Sequence, residues 1–157
     1  MAVFKKIALG LLILFVLLQF IPRSVNKSEE VLANDLTRNY QVPVEVQSVL
    51  KKACYDCHSS NTDYPWYARV QPFRFMLDRH IKTGKEELNF SEFGAYSEKR
   101  QYNKFNSIAE SIKKETMPLK SYQMMHAEAK LTLAEKNAVL KWVEDTRNEI
   151  KKRKEKL

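Results

Sequence analysis

At 157 residues the chain is one domain's worth of polypeptide, and its three glycines argue against a hairpin-rich architecture. Its formal charge of +8 raises nucleic-acid binding, but no nucleic-acid motif accompanies the charge. Much of the excess sits in the tail Lys151-Lys152-Arg153-Lys154-Glu155-Lys156, which suits an acidic partner protein or an anionic membrane surface.

Residues 1–23 read as a signal peptide or signal anchor. Lys5 and Lys6 precede an apolar run over residues 7–21 that is broken only by Gly10 and Gln19. As a helix this run is ~22 Å long against a hydrocarbon core of ~30 Å. Ala2, Val3 and Phe4, with snorkelling lysines, bring it near spanning length. No small-x-small cleavage site follows directly, and Val31-Leu32-Ala33 is permissive but distant. No cysteine precedes Cys54, which excludes a lipoprotein anchor. An uncleaved anchor with a cytoplasmic N-terminus is expected, and it argues further against nucleic-acid binding. Residues 24–42 are polar and charged and read as a linker.

Pro43 opens a short helix with Val46, Val49, Leu50 and Ala53 on one face, running directly into Cys54. Residues 61–71 form a loop around Pro65. Pro72 opens a second helix that carries Phe73, Met76, Leu77, His80 and Ile81 on one face, with Gly84 as its stop. Residues 85–97 are irregular. A third helix over 98–115 turns Tyr102, Phe105, Ile108, Ala109 and Ile112 inward, and Pro118 bars its continuation. The last helix starts at a capping box, Thr132 with Glu135, and shows a stripe of Val139, Val143 and Ile150 widened by Leu140 and Trp142. With no repeats and no convincing strand pairs, the fold class is all-α. The domain spans 43–150 and a basic tail covers 151–157.

Both cysteines fall in Cys54-Tyr55-Asp56-Cys57-His58, the C-x-x-C-H pattern of covalent c-type haem attachment. Two thiols three positions apart can form thioethers to the two vinyl groups on one edge of a haem. The adjacent His58 then supplies an imidazole nitrogen to the iron. A thioredoxin-like centre would follow a strand in a βαβ pattern, which is missing here. A structural zinc site would need four ligands, and His80 and His126 are too far apart to complete one. For the second axial position Met117 is the leading candidate, since Pro118 fixes it in an extended segment and a thioether is a soft ligand. His80 and His126 are the alternatives. Tyr64, Trp66, Tyr67, Arg69 and Arg74 are candidate pocket residues, the arginines as propionate partners. Met76, Met124 and Met125 read as packing residues.

The order helix, C-x-x-C-H, loop, helices, Met-Pro and C-terminal helix is that expected of a cytochrome c-like domain, whose first and last helices cross beside the haem. The chain resembles the bacterial haem-binding domain proteins, a family of small exported cytochrome c-like proteins. The resemblance rests on Cys-Tyr-Asp-Cys-His-Ser at 54–59, Tyr-Pro-Trp-Tyr at 64–67, His80 and Gly-Lys-Glu-Glu-Leu-Asn-Phe-Ser-Glu-Phe at 84–93. It continues through Met117-Pro118-Leu119, Tyr122, His126, Ala129 and Leu131-Thr132, and covers roughly residues 44–145. It implies one covalently attached haem c and an all-α fold. The resulting expectation is a monohaem electron carrier, not an enzyme, on the periplasmic side of the bacterial inner membrane. It would be held there by the N-terminal helix and serve a redox partner. A haem-based sensor or gas- or peroxide-binding protein with an open sixth iron position is the alternative, and a peroxidase-like activity a more distant one.

Overall fold

The computed structural model describes residues 1–28 and 32–155. Val31 of the permissive cleavage site, and Lys156 and Leu157 of the tail, lie outside the described residues. Among the described residues eight α-helices follow one another: α1 (Ala2–Leu18), α2 (Leu36–Asn39), α3 (Val44–Ala53), α4 (Tyr55–His58), α5 (Phe73–Glu87), α6 (Glu98–Lys113), α7 (Lys120–Met125) and α8 (Leu133–Lys154). Short 3₁₀ turns at Trp66–Arg69, Phe90–Ala95 and Ala127–Ala129 join them. Among the described residues there is no β-strand, only an isolated bridge between Lys27 and Asn61.

The apolar stripes legible in the sequence meet in one core. Val46, Val49 and Leu50 of α3, Phe105, Ala109 and Ile112 of α6, and Val139, Val143 and Ile150 of α8 are all buried there. Phe90 and Phe93 of the 3₁₀ turn join them, and Phe105 packs edge-on against Trp142 with ring centres 5.5 Å apart. Helix α8 packs against both α3 and α6. The Trp142 indole N–H donates to the Gln41 carbonyl at 3.0 Å, and Lys52 of α3 pairs with Glu135. Glu135 also closes the capping box with Thr132. The basic tail begins as the last turn of α8, with Lys151 and Arg153 lying over the rings of Tyr102 and Tyr40.

Helix α6 stops at Lys113, before Pro118 can act. Glu115 adopts φ 55°, and the Thr116 and Glu115 amides donate to the Ser111 and Ile112 carbonyls at 3.0 and 3.2 Å. This is a Schellman closure with glutamate in the left-handed position that glycine usually takes.

Residues 24–28 and 32–42, expected as part of a linker, are bonded and packed into the domain. Asp35 caps α2 by accepting from the Thr37 amide, and Leu36 and Val42 are in the core. Asn26 is bonded through every polar group. Its amide donates to Tyr64 Oη at 2.9 Å, and its side-chain Nδ2 to the Ser59 carbonyl and Thr62 Oγ1 at 2.8 Å each. Its carbonyl accepts from the Thr62 amide at 2.9 Å and its Oδ1 from Lys85 at 2.7 Å. Buried polar groups such as Ser59 and Thr62 need partners, and this segment supplies them.

Helix α1 takes in Ala2, Val3 and Phe4 but ends at Leu18, giving 17 residues and about 25 Å. The amides of Gln19, Phe20 and Ile21 bond three residues back, tightening the chain ahead of Pro22. No described helix is long and apolar enough to cross a membrane.

Gly84 does not end its helix; α5 runs on to Glu87. The glycine answers to a close approach. A Cβ at this position would lie 2.6 Å from the Cys57 carbonyl oxygen and 3.2 Å from its carbon, both backbone atoms of α4. A helix-interior glycine costs ~1 kcal/mol relative to alanine, so Gly84→Ala should stabilise if only propensity mattered. Overpacking against backbone decides instead: the variant is expected to lose about 1–3 kcal/mol. Thermal unfolding should show a melting temperature several degrees lower; an unchanged or higher one would show that the α4–α5 contact has room to spare.

Candidate functional site

Helix α3 delivers the chain to Cys54, whose amide still closes the helix on the Leu50 carbonyl at 2.9 Å. Its φ of −130° turns the backbone out of α3, and Tyr55–His58 then form the single turn α4. The Cys57 and His58 amides both bond the Cys54 carbonyl, so the two thiols and the imidazole are set by one tight turn. Helix α4 rests on α5 at Gly84.

A predominantly apolar cavity of about 330 Å³ opens beside this turn, within the size range of cofactor sites. Cys54, Cys57 and His58 line it from α4. Phe73, Met76, Leu77 and His80 line it from α5, and Met117, Tyr122 and Met125 from the segment leading into and through α7.

Cys54 and Cys57 are free and half-buried. Burial pushes the Cys54 thiol up to about 12. Burial, then the neighbouring Asp56 charge, pushes Cys57 up to about 11. Both are therefore protonated at neutral pH. An activated redox C-x-x-C pair has a lowered thiol pKa, the opposite direction. Among the described residues no group of three or more His, Cys, Asp or Glu side chains is arranged to hold a metal ion.

His58 Nδ1 lies 2.9 Å from the Gly84 carbonyl oxygen and 2.9 Å from that of Leu88. Carbonyls only accept, so Nδ1 carries the proton and the neutral ring keeps its lone pair on Nε2. The ring also meets the edge of Phe90, with centres 6.2 Å apart. Held tautomer and held ring angle are what a metal-ligating histidine needs from its surroundings.

Asp56 ties α7 to this turn. Its Oδ1 accepts from the Asp63 amide at 2.9 Å and its Oδ2 from the Tyr122 hydroxyl at 2.5 Å. Burial, then the bond to Asp56, raises the Tyr122 phenol pKa. Tyr122 stacks on His126, rings 4.2 Å apart and 13° from parallel.

Besides Cys54, Cys57 and His58, the structure brings Met117, His80 and Tyr67 to the cavity, but not His126, Arg74, Tyr64, Arg69 or Trp66. His126 faces a separate polar groove with Glu128 and Glu135. Its Nδ1 meets the Glu128 carboxylate at 3.3 Å and its Nε2 the Tyr67 hydroxyl at 2.8 Å, so both nitrogens are engaged. Arg74, only 5% exposed, forms a two-pronged bond to Asp78 at 2.8 and 2.9 Å, donates to the Ser24 carbonyl and lies 4.1 Å over the Tyr64 ring. It and Tyr64 are thereby turned away from the cavity. Trp66 is exposed and outside the lining. Its neighbour Tyr67 lines the cavity instead.

Two protonated thiols, an imidazole with a free Nε2 and a thioether around one apolar space form a donor set suited to haem. A sequence profile described as "Haem-binding domain" matches residues 13–145. The chain belongs to this haem-binding domain family. Neither the curated proteins nor the solved structures compared with it give a match. The haem-binding domain match starts inside α1 and includes the segment bonded through Asn26, in keeping with its packing as part of the domain.

The carbonyls of Gly84 and Leu88 were not legible as His58 partners, because backbone acceptors carry no residue type. Gly84 reads in the sequence as a helix stop, and its close approach to Cys57 emerges only from the packing of α5 on α4. The Tyr122 clamp on Asp56 spans 66 positions and has no local pattern. Tyr122→Phe leaves a carboxylate oxygen without its donor. The variant is expected to be less stable by about 1–3 kcal/mol, read from denaturant unfolding of the haem-loaded protein. An unchanged midpoint would mean that water replaces the hydroxyl freely.

Proposed function

We propose that this haem-binding protein is a monohaem c-type cytochrome that carries electrons on the periplasmic side of the inner membrane. Cys54 and Cys57 would hold the haem through thioethers, with His58 as the proximal ligand and Met117 as the distal one. One observation carries the reading: the doubly held His58 Nδ1 leaves Nε2 as the basic nitrogen beside two thiols in one apolar cavity. Bound haem supplies an iron that changes between two oxidation states, and axial thioether ligation raises its potential. The chain's own part is to fix the imidazole, exclude water with Phe73, Leu77 and Met125, and present a thioether from the turn after α6. Helix α1, apolar on every side, anchors the domain. Its ~25 Å, with the further turn to Ile21 and Lys5 and Lys6 at one interface, matches a hydrocarbon core of ~30 Å within the mismatch that bilayers absorb. An acidic redox partner fits the +8 charge.

Met117 is 40% exposed. That setting favours, as a second reading, a ligand-binding haem protein in which the methionine yields to a gas or peroxide. Optical spectra of the full chain separate the two. Oxidised wild type is expected to show the weak far-red band of His/Met coordination, and Met117→Ala to lose it and turn high-spin. A high-spin wild-type spectrum that the substitution leaves unchanged would move the assignment to the second reading.

Covalent attachment has its own check. A Cys54→Ala/Cys57→Ala double variant is expected to lose all haem staining on a denaturing gel, with each single variant weakened. Staining that survives the double change would rule out thioether attachment.

A further inference from the structure

Helix α1 is joined to the domain at one end by specific bonds. Gln19, its C-terminal cap, accepts through Oε1 from the Gln71 amide at 2.9 Å, and its Nε2 faces the Gln71 carbonyl at 3.4 Å. Gln71 is buried, and its own Oε1 accepts from the Phe75 amide at 3.1 Å. Five residues after Gln19, the Ser24 carbonyl accepts from the buried Arg74, and Asn26 is bonded through all its polar groups. Removing the N-terminal segment would strip partners from Gln71, Arg74, Ser59 and Thr62, all buried. Residues 19–26 are therefore bonded into the folded domain, and the end of α1 lies beside the first turn of α5.

That end of the molecule is apolar and uncovered outside the cavity. Phe20 is 79%, Trp66 76% and Phe75 61% exposed, and Val25 lies beside Phe75. Trp66 connects to the start of α5 through Tyr67 and Phe73, with ring centres 6.0 and 6.3 Å apart. Behind Phe75 the same face of α5 carries Arg79 and Lys82, four and seven positions on, both exposed. Asp78 is neutralised by Arg74, and Glu86, one turn beyond Lys82, lies about three turns from Phe75. Aromatic side chains at the rim with basic ones behind them are the pattern of a surface lying at the lipid interface.

We propose that the face formed by Phe20, Phe75, Arg79 and Lys82 rests on an anionic lipid bilayer, held there by the Gln19–Gln71 junction. This rests on the reading of α1 as a membrane anchor. It adds a fixed orientation: the haem domain is held against the membrane and does not swing on a tether. Phe20 and Phe75 enter the interfacial layer, while Arg79 and Lys82 meet lipid phosphates.

The test uses the full haem-loaded chain in vesicles of phosphatidylethanolamine and phosphatidylglycerol doped with a photoactivatable lipid. Peptides covering 66–82, as well as α1, are expected to carry lipid adducts. Phe75→Glu/Arg79→Glu should lose the adducts on 66–82 and keep those on α1 and the haem spectrum. Gln19→Ala, which frees the junction, should do the same. Adducts confined to α1 in wild type, or unchanged in both variants, would overturn the surface and leave the anchor intact. Absence of α1 adducts, or of the N-terminal peptide from the mature protein, would overturn the anchor and this proposal together, without touching haem binding. Protein–protein crosslinks through 66–82 that persist in detergent would give the face to a second copy of the chain and also overturn it.

Discussion

The approach of α5 to the C-x-x-C-H turn at Gly84 is the constraint on which the site depends. With no side chain there, the α5 backbone comes close enough for its carbonyl to reach His58 Nδ1 at 2.9 Å. The Leu88 carbonyl joins it because α5 ends just there, its last bond running from the Leu88 amide to the Gly84 carbonyl. One glycine thus brings two helices together, fixes an imidazole tautomer and leaves Nε2 as the basic nitrogen of His58. The cost of a glycine within a helix is offset by what its missing Cβ allows.

Around that contact the domain is closed from two sides. Tyr122 holds α7 on Asp56, setting the segment with Met117 and Met125 across the cavity from the cysteines. On the other side Asn26 and Ser24 bind the loop after His58 and the first turns of α5. Asp56 and Thr62 link the two, since the Thr62 hydroxyl donates to the Asp56 carbonyl at 2.6 Å and accepts from Asn26. The Asp56 carboxylate and the polar groups of Ser59 and Thr62 are thus bonded by segments from opposite ends of the chain, whereas the buried Tyr55 hydroxyl has no partner. The thiols are left in apolar surroundings, which keeps them protonated.

The N-terminal segment has two parts. Residues 24–42 carry few apolar side chains and read as a linker, yet Leu36 and Val42 are core residues and Asn26 is a hub. Composition misleads because a short segment can be bound mainly through hydrogen bonds, which leave no periodicity. The apolar run before it has no buried residue at all.

Much was set by the sequence alone. The C-x-x-C-H spacing announced the cofactor chemistry, since two thiols and an imidazole in five residues must share one turn. Helical periodicity placed α3, α6 and α8 with their buried faces, because a 3.6-residue repeat is a local property. The Thr132–Glu135 capping box marked the start of α8. What lay beyond the sequence was every partnership between distant positions. Arg74 carries a charge suited to propionates, but Asp78, Tyr64 and Ser24 hold it elsewhere. His126 is chemically a ligand, yet Tyr67 and Glu128 occupy both its nitrogens. Gly84 marks a helix end by residue type and a helix contact by position. Residue type states which bonds a side chain can make; only packing decides which partner comes within reach, because desolvation forces each buried polar group to take the one that the fold supplies.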